Sequence, residues 1–292
     1  MSSRIEEVAT LSPELVEAVG RLVRSAPGAG DTPPISEQGM LRLTAGEPVK
    51  HLIVRDSGEL LGYGQLDGAS GNPTAELVAA DTEVAGQLLR ALLDAGRDGF
   101  RLWAHGADSV ANQAALRSGL RPVRTLLQLR RGLVNAELAE LALPAGVRIR
   151  AFVPGQDEQA WLSVNARAFA GHPEQGSWTQ RDLDERLAAA WFDPAGFLLA
   201  ERDSGELLGY HWTKVHSETE PPMGEVYVLG VDPSAQGLRL GTQLLNEGLR
   251  HLQARKLETV LLYVEESSGT AIHLYGRAGF TVFASDLQYA GR

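Results

Sequence analysis

RDSGELLGY occupies residues 55–63, and the same nine residues return at 202–210. Each copy comes after an apolar run, HLIV (51–54) and FLLA (197–200). An apolar run, a polar Asp-Ser-Gly turn and a second apolar run describe a β-hairpin. Chance alone can repeat a short peptide, but the later elements repeat in order as well. After the first copy come a strand-like AELVA (75–79), a helix-like QLLRALLDAG (87–96), a strand-like RLWAH (101–105) and a helix ending at Gly119. After the second come EVYVLGV (225–231), TQLLNEGLRHLQAR (242–255), TVLLYVE (259–265) and a helix ending at Gly279. A period of this size marks a tandem duplication. Interleaved strands and helices make each unit α/β, with a mixed, largely antiparallel sheet flanked by helices. The second unit starts near VRIRAFVP (147–154), after an Ala/Leu/Glu-rich linker at 134–146 that Pro144 and Gly146 punctuate. The expected domains are therefore 1–140 and 146–292.

A chain of 292 residues is long enough for two ordinary domains. No run approaches eighteen apolar residues, and the acid-bearing start, MSSRIEEVATLSPELVEAV, does not read as a signal peptide. A cytoplasmic monomer without membrane association is the expectation. The formal net charge of −10 disfavours nucleic acid, whose phosphates need clustered Lys and Arg. With 0 Cys, disulfides, thiolate metal sites and cysteine nucleophiles are excluded. The histidines show no paired ligand spacing such as H-E-x-x-H, so no metal is expected.

The chemistry concentrates in EVYVLGVDPSAQGLRLGTQLLNEGLRHL (225–252). A β-branched strand ends at Asp232-Pro233, a short loop runs through Gln236 to Gly241, and Leu244, Leu245, Leu249 and Leu252 recur at helical spacing. Strand, glycine-bearing turn and helix start make an anion site, because the free N–H groups of the first turn and the helix dipole both favour negative charge. Gly241 lets a pyrophosphate approach without a Cβ, and Arg239 adds a charge-assisted contact. On the loop alone, an ordinary strand-turn-helix connection is an equal reading.

The loop resembles the acyl-CoA pyrophosphate motif of the GNAT acetyltransferase superfamily, Q/R-x-x-G-x-G/A, with Gln236 and Gly241 at its ends and Arg239 in place of the middle glycine. An arginine with helical dihedrals still offers its amide, so weakened CoA binding is expected. AIHLYGRAGF (271–280) is similar to the superfamily's second signature, A-x-x-x-Y-x-x-x-G-F, with Ser268 replacing the usual preceding asparagine. HPEQGSW (172–178), HWTKVH (211–216) and LLYVE (261–265) resemble the mycothiol synthase family, as do PISEQGMLRL (34–43) and LWAHG (102–106) in the first unit. The likeness covers nearly the whole chain.

The resemblance implies two tandem GNAT domains and the acetyl-CoA-dependent N-acetylation of the cysteinyl amine of desacetylmycothiol, the last step of mycothiol biosynthesis. It makes Glu225 the general base and Tyr275 the acid that protonates the leaving CoA thiolate. The amides of Leu229, Gly230 and Val231 would bind the pantetheine arm and polarise the thioester. Acetyl-CoA would further lie against Gln236, Gly237, Leu238, Arg239, Leu240, Gly241 and Thr242, and against Ser268, Gly269, Thr270, Ala271, Ile272 and His273. The acceptor, a small thiol-sugar, maps onto Glu37, Glu174, Lys214, Glu225 and Tyr263. A GNAT enzyme for another small amine, or a CoA-binding protein without activity, are the alternatives.

The first unit lacks these features. Residues 80–86 precede a helix expected at Gln87, against 232–242 before Gln243, and Asp81 and Glu83 stand where phosphates would sit. Counting back from Gly119 as from Gly279 puts Ala115 in the place of Tyr275. The first domain is therefore expected to do no chemistry and to bind acetyl-CoA poorly at best, serving as support and as one wall of the acceptor site.

Overall fold

A computed structural model describes residues 4–26, 32–44, 49–68, 72–96, 98–139, 141–172 and 175–291. The repeated nonapeptide builds a hairpin in both halves, but with two different turns. In the first half, β2 (Val49–Asp56) passes to β3 (Glu59–Asp67) through Ser57 and Gly58, both at positive φ, as a two-residue type I′ turn requires. In the second half, β8 (Phe197–Arg202) and β9 (Leu207–His216) close when the Arg202 N–H donates to the Glu206 carbonyl, and Gly205 is the residue at positive φ. The Asp203 N–H, meanwhile, donates to the Gly146 carbonyl next to the neighbouring strand.

Two compact units result. The first comprises Met1–Gln128, Glu265–Ser268 and Val282–Arg292; the second comprises Leu129–Val264 and Gly269–Thr281. The first unit holds β1 (Arg4–Val8), α1 (Pro13–Ser25), α2 (Glu37–Arg42), β2, β3, β4 (Thr74–Ala79), α3 (Thr82–Gly96), β5 (Arg101–Ala104) and α4 (Val110–Arg117). β6 (Arg121–Gly132) follows, counted to Gln128 with the first unit and from Leu129 with the second. The second unit holds β7 (Val147–Ala151), α5 (Glu158–Ala168), α6 (Gln180–Leu187), β8, β9, β10 (Met223–Val231), α7 (Leu240–Ala254), most of β11 (Thr259–Glu265) and α8 (Gly269–Arg277). β12 (Thr281–Ala290) ends the chain.

In the first unit the strands run β1-β2-β3-β4-β5-β12, all antiparallel except the parallel pair β4/β5. In the second the order is β11-β10-β9-β8-β7, with β10/β11 parallel and the rest antiparallel. A boundary at 140–146 follows the chain; the compact units do not. β12 aligns Leu287 with Ala104 and Ala290 with Arg101, so the last strand belongs beside β5. Nothing in the local pattern of TVFASDLQYA names its pairing partner.

Alternation along each central strand divides two cores. Leu77 and Ala79 of β4 face Leu88 and Leu92 of α3 and Ala111 and Ala115 of α4, while Val78 joins Val19, Leu22 and Val23 of α1. In the second unit Trp161, Phe197, Tyr210 and Trp212 pack with α5 and α6, and Leu208, Leu240 and Leu244 pack under α7. Leu244, Leu245, Leu249 and Leu252 are all buried, as their spacing predicts. The linker lies along α7, where Asn246 and Arg250 donate to the Ala139 carbonyl and Gln253 to those of Leu133 and Ala136. Among the described residues no helix is long and apolar enough to cross a membrane.

Candidate active site

β10 and β11 pair only at Met223↔Thr259, Gly224↔Val260 and Glu225↔Leu261. Beyond Glu225, β10 continues to Val231 and stays paired with β9 on its other side. The strands thus part at Glu225 and leave one edge of 226–231 open. The Asp232 N–H donates to the Leu208 carbonyl. Period-two alternation then turns the Leu229 and Val231 amides toward the opening and the Gly230 amide toward β9, which corrects the expectation that all three amides reach a pantetheine arm. Two strand amides facing an unpaired edge suit the amide groups of a pantetheine arm. Gly230 has a separate reason to be glycine: a Cβ there would stand 2.8 Å from the Tyr210 ring. Tyr210 is held in turn by its hydroxyl, which donates to Asn165 Oδ1 at 2.6 Å.

Glu225 sits at the apex of the opening and is 7% exposed. Its Oε2 lies 2.7 Å from His216 Nε2, and His216 Nδ1 lies 2.9 Å from Glu218 Oε1. Lys214 is the direct cross-strand neighbour of Glu225, and its Nζ stands 5.0 Å from the centre of the Trp191 ring. A bulge between Val226 and Val228 re-aims the strand just past Glu225. Within it, Tyr227 packs edge-on against Trp191 and Trp212, and its hydroxyl accepts from Arg186 Nε at 2.9 Å. Tyr263 on β11 is 41% exposed, so it is a surface residue of an otherwise buried strand and not part of the core.

The loop after β10 ends on Arg239, the N-cap of α7, which gives that helix no side-chain cap. The first-turn N–H groups of a 15-residue helix are thereby left for a ligand. Arg239 itself stands at φ 56°, ψ 20°, in the left-handed region. The expectation of helical dihedrals there is corrected: the motif's middle glycine answers a positive φ, and arginine occupies that conformation at a cost. Gln236, Gly237, Leu238 and Arg239 are exposed. A Cβ on Gly241 would meet only ordinary contacts, with Leu274 at 3.6 Å and Val231 at 3.7 Å. The packing of the protein does not demand that glycine, in keeping with a role toward a ligand.

Tyr275 is buried in α8, edge-on to Phe280 with ring centres 5.8 Å apart. Burial pushes its phenol well above the ordinary range, so it stays protonated at neutral pH. Gly269, Thr270, Ala271, Ile272 and His273 form the first turns of α8. Ser268, which precedes them, groups with the first unit, as does Glu37, the first residue of α2. Glu174 lies outside the described residues. The structure thus gathers Lys214, Glu225 and the residues of the α7 loop on connected elements of the second unit. His216 and the Tyr210–Asn165 pair were not singled out from sequence. For His216 a signal existed, since it alternates with Lys214 in TKVH and so shares its face of the strand.

In the first unit the corresponding opening is shorter. β4 and β5 pair through Glu76↔Trp103, which leaves only 77–79 beyond the last pair. α3 begins at Thr82, not Gln87, so Ala80 and Asp81 alone precede it, against 232–239 before α7. Asp81 Oδ1 accepts from the Val84 N–H at 2.9 Å, placing the protein's own carboxylate on the helix start. Ala115 does take the place of Tyr275. The Leu120 N–H donates to the Ala115 carbonyl as the Phe280 N–H does to that of Tyr275, each just after a glycine at positive φ.

The model of the Acetyltransferase (GNAT) family matches residues 161–280. Among solved structures, a GCN5-related N-acetyltransferase from Sphaerobacter thermophilus superposes with a TM-score of 0.75 at 23% identity, covering 98% of this chain and 95% of that one. A tandem GNAT protein from the clavulanic acid biosynthesis pathway gives 0.73 at 16% identity, covering 99% and 98%. The fold is α/β with GNAT domains in tandem, and the class is that of a GNAT acetyltransferase. A mycothiol acetyltransferase of Streptomyces avermitilis is 51% identical over 98% of this chain and 94% of its own length. One from Streptomyces coelicolor is 50% identical over 98% and 94%, and one from Rhodococcus opacus 45% over 93% and 93%. The chain belongs to the mycothiol acetyltransferase family.

Proposed function

We propose that this enzyme transfers the acetyl group of acetyl-CoA to the cysteinyl amine of desacetylmycothiol, completing mycothiol. The relatives' names support the substrate, and one observation supports the chemistry: the strands part at a buried glutamate, so an acyl group in the opening would lie beside a base. The amine attacks only when neutral, and a reference α-amino pKa of about 7.7–8.0 leaves Glu225 a modest task. The amine nitrogen bonds to the thioester carbon, Glu225 takes the ammonium proton, and the C–S bond breaks. The CoA thiolate then receives the Tyr275 proton. With its phenol pushed up by burial, Tyr275 is a weak acid, and the transfer depends on a thiolate held close in the same dry setting. The amides of Leu229 and Val231 serve the pantetheine arm, and the start of α7 serves the pyrophosphate. Glu37, Glu174, Lys214 and Tyr263 are assigned to the acceptor, and the first unit to support without chemistry.

Purified enzyme assayed with acetyl-CoA against desacetylmycothiol and a panel of simple amines tests the substrate. A kcat/KM for desacetylmycothiol at least a hundredfold above every other amine is expected, and equal use of the panel would refute it. E225Q and Y275F should each lower kcat by about 10²–10⁴. Wild-type turnover by either would remove that residue's role.

A further inference from the structure

Acetyl transfer by this route uses one oxygen of Glu225 and leaves the partner of the other unexplained. Glu225 Oε2 is 2.7 Å from His216 Nε2, while Oε1 takes no hydrogen bond among the described residues. On the other side of the ring, Nδ1 is 2.9 Å from Glu218 Oε1. Both neighbours are carboxylates, which when ionised only accept. A neutral imidazole has one N–H and can satisfy only one of them. The doubly protonated ring donates to both, so the geometry asks for an imidazolium between Glu225 and Glu218.

The framework around the ring is built. His216 closes β9 and is cross-strand from Met223, while Lys214, two residues back on the same face, is cross-strand from Glu225. Thr219 Oγ1 donates to the His216 carbonyl at 3.0 Å and fixes the turn that brings Glu218 round. The His216 side chain is 17% exposed and that of Glu218 70%, so the ring stands between the buried carboxylate and solvent. The charges facing the ring are Glu225 on β10, Glu218 in the turn and Lys214 on β9. Burial disfavours the charged ring, the hydrogen bond and charge of Glu225 and then Glu218 favour it, Lys214 opposes it, and the net displacement is upward.

We propose that His216 is the positioning residue of this site, an imidazolium that ties down one oxygen of Glu225 so that the other faces the incoming amine. This rests on Glu225 being the base.

Two measurements test it on the full-length enzyme. The first needs no turnover. Imidazole ¹⁵N NMR should find both His216 nitrogens protonated at pH 7, with a titration midpoint that falls in E225Q. A neutral ring at pH 7, or a midpoint untouched by E225Q, overturns the clamp whatever the reaction proves to be. The second uses turnover. H216A should lower kcat ten- to a hundredfold with the acetyl-CoA KM within twofold. H216Q restores a neutral donor, so it should recover part of kcat. H216A within twofold of wild type, or equal losses in H216A and H216Q, overturns the positioning role. Full turnover by E225Q removes the base and the positioning role together, and the NMR result still separates that failure from a failure of the clamp.

Discussion

Arg239 shows how the middle position of a motif can be misread. The pattern names a glycine there, and the positive φ of 56° explains why. For an L-residue that conformation costs about 1–2 kcal/mol, partly offset in any glycine variant by about 0.5–1 kcal/mol of extra freedom in the unfolded chain. R239G should therefore be more stable than wild type by about 0.5 kcal/mol in chemical denaturation, whereas R239A, which keeps the Cβ, should show no such gain. Gly230 is the opposite case, a glycine set by packing. Its missing Cβ would stand 2.8 Å from the Tyr210 ring, which Asn165 holds in place. G230A should cost about 1–3 kcal/mol in stability and lower kcat, because Tyr210 has to shift beneath the opening. Glu225 and Tyr275 were legible as types at known spacings. The pairing of Glu225 with His216 was not, because it depends on which strands are neighbours and on a turn that returns Glu218 to the ring.

The two halves share an order of elements but differ where elements meet. Identical RDSGELLGY peptides make a two-residue turn once and a looser one once, since the Asp203 amide is claimed by Gly146. Local sequence fixes that a hairpin forms, and tertiary partners choose its turn. The helix starts diverge more consequentially. α7 begins without a side-chain cap, whereas α3 carries the Asp81 carboxylate on its own first turn. The shift of the α3 start from Gln87 to Thr82 was illegible by periodicity, because Thr82, Glu83 and Gly86 continue no apolar stripe. A helix end already holding a carboxylate repels a pyrophosphate. Isothermal titration of the whole chain should therefore find one strong acetyl-CoA site, with any second at least a hundredfold weaker. Two sites of equal affinity would show that the first unit is competent despite Asp81.

The first unit is fastened by a buried charge network that no motif announced. His105 lies 3.0 Å from both Glu76 and Asp286, and Glu76 also accepts from Gln65 at 2.8 Å. Burial opposes a charged His105, but the bonds to Asp286 and Glu76 outweigh it and its pKa is pushed up to about 10. The raised value means stability from His105 is fully present below about 6.5 and is lost as pH rises toward 10. Glu76, held below its ordinary value, contributes in the other direction, losing stability as pH falls. Denaturation midpoints should show wild type losing on the order of 1–3 kcal/mol between pH 6.5 and 10, a loss that H105Q, already less stable, does not repeat. The global plan, a duplicated α/β chain, was legible because a repeated order of elements survives any change of partner. The placement of β12 was not, because strand pairing across most of the chain's length leaves no local trace. That placement sets a timetable. During synthesis β5 emerges early and finds β4 on one edge, yet the β12 strand that pairs its other edge, and the Asp286 that meets His105, leave the ribosome only after the whole second unit has been made. The nascent first unit has to wait with an open sheet edge until β12 arrives, exposed meanwhile to pairing with the wrong strand.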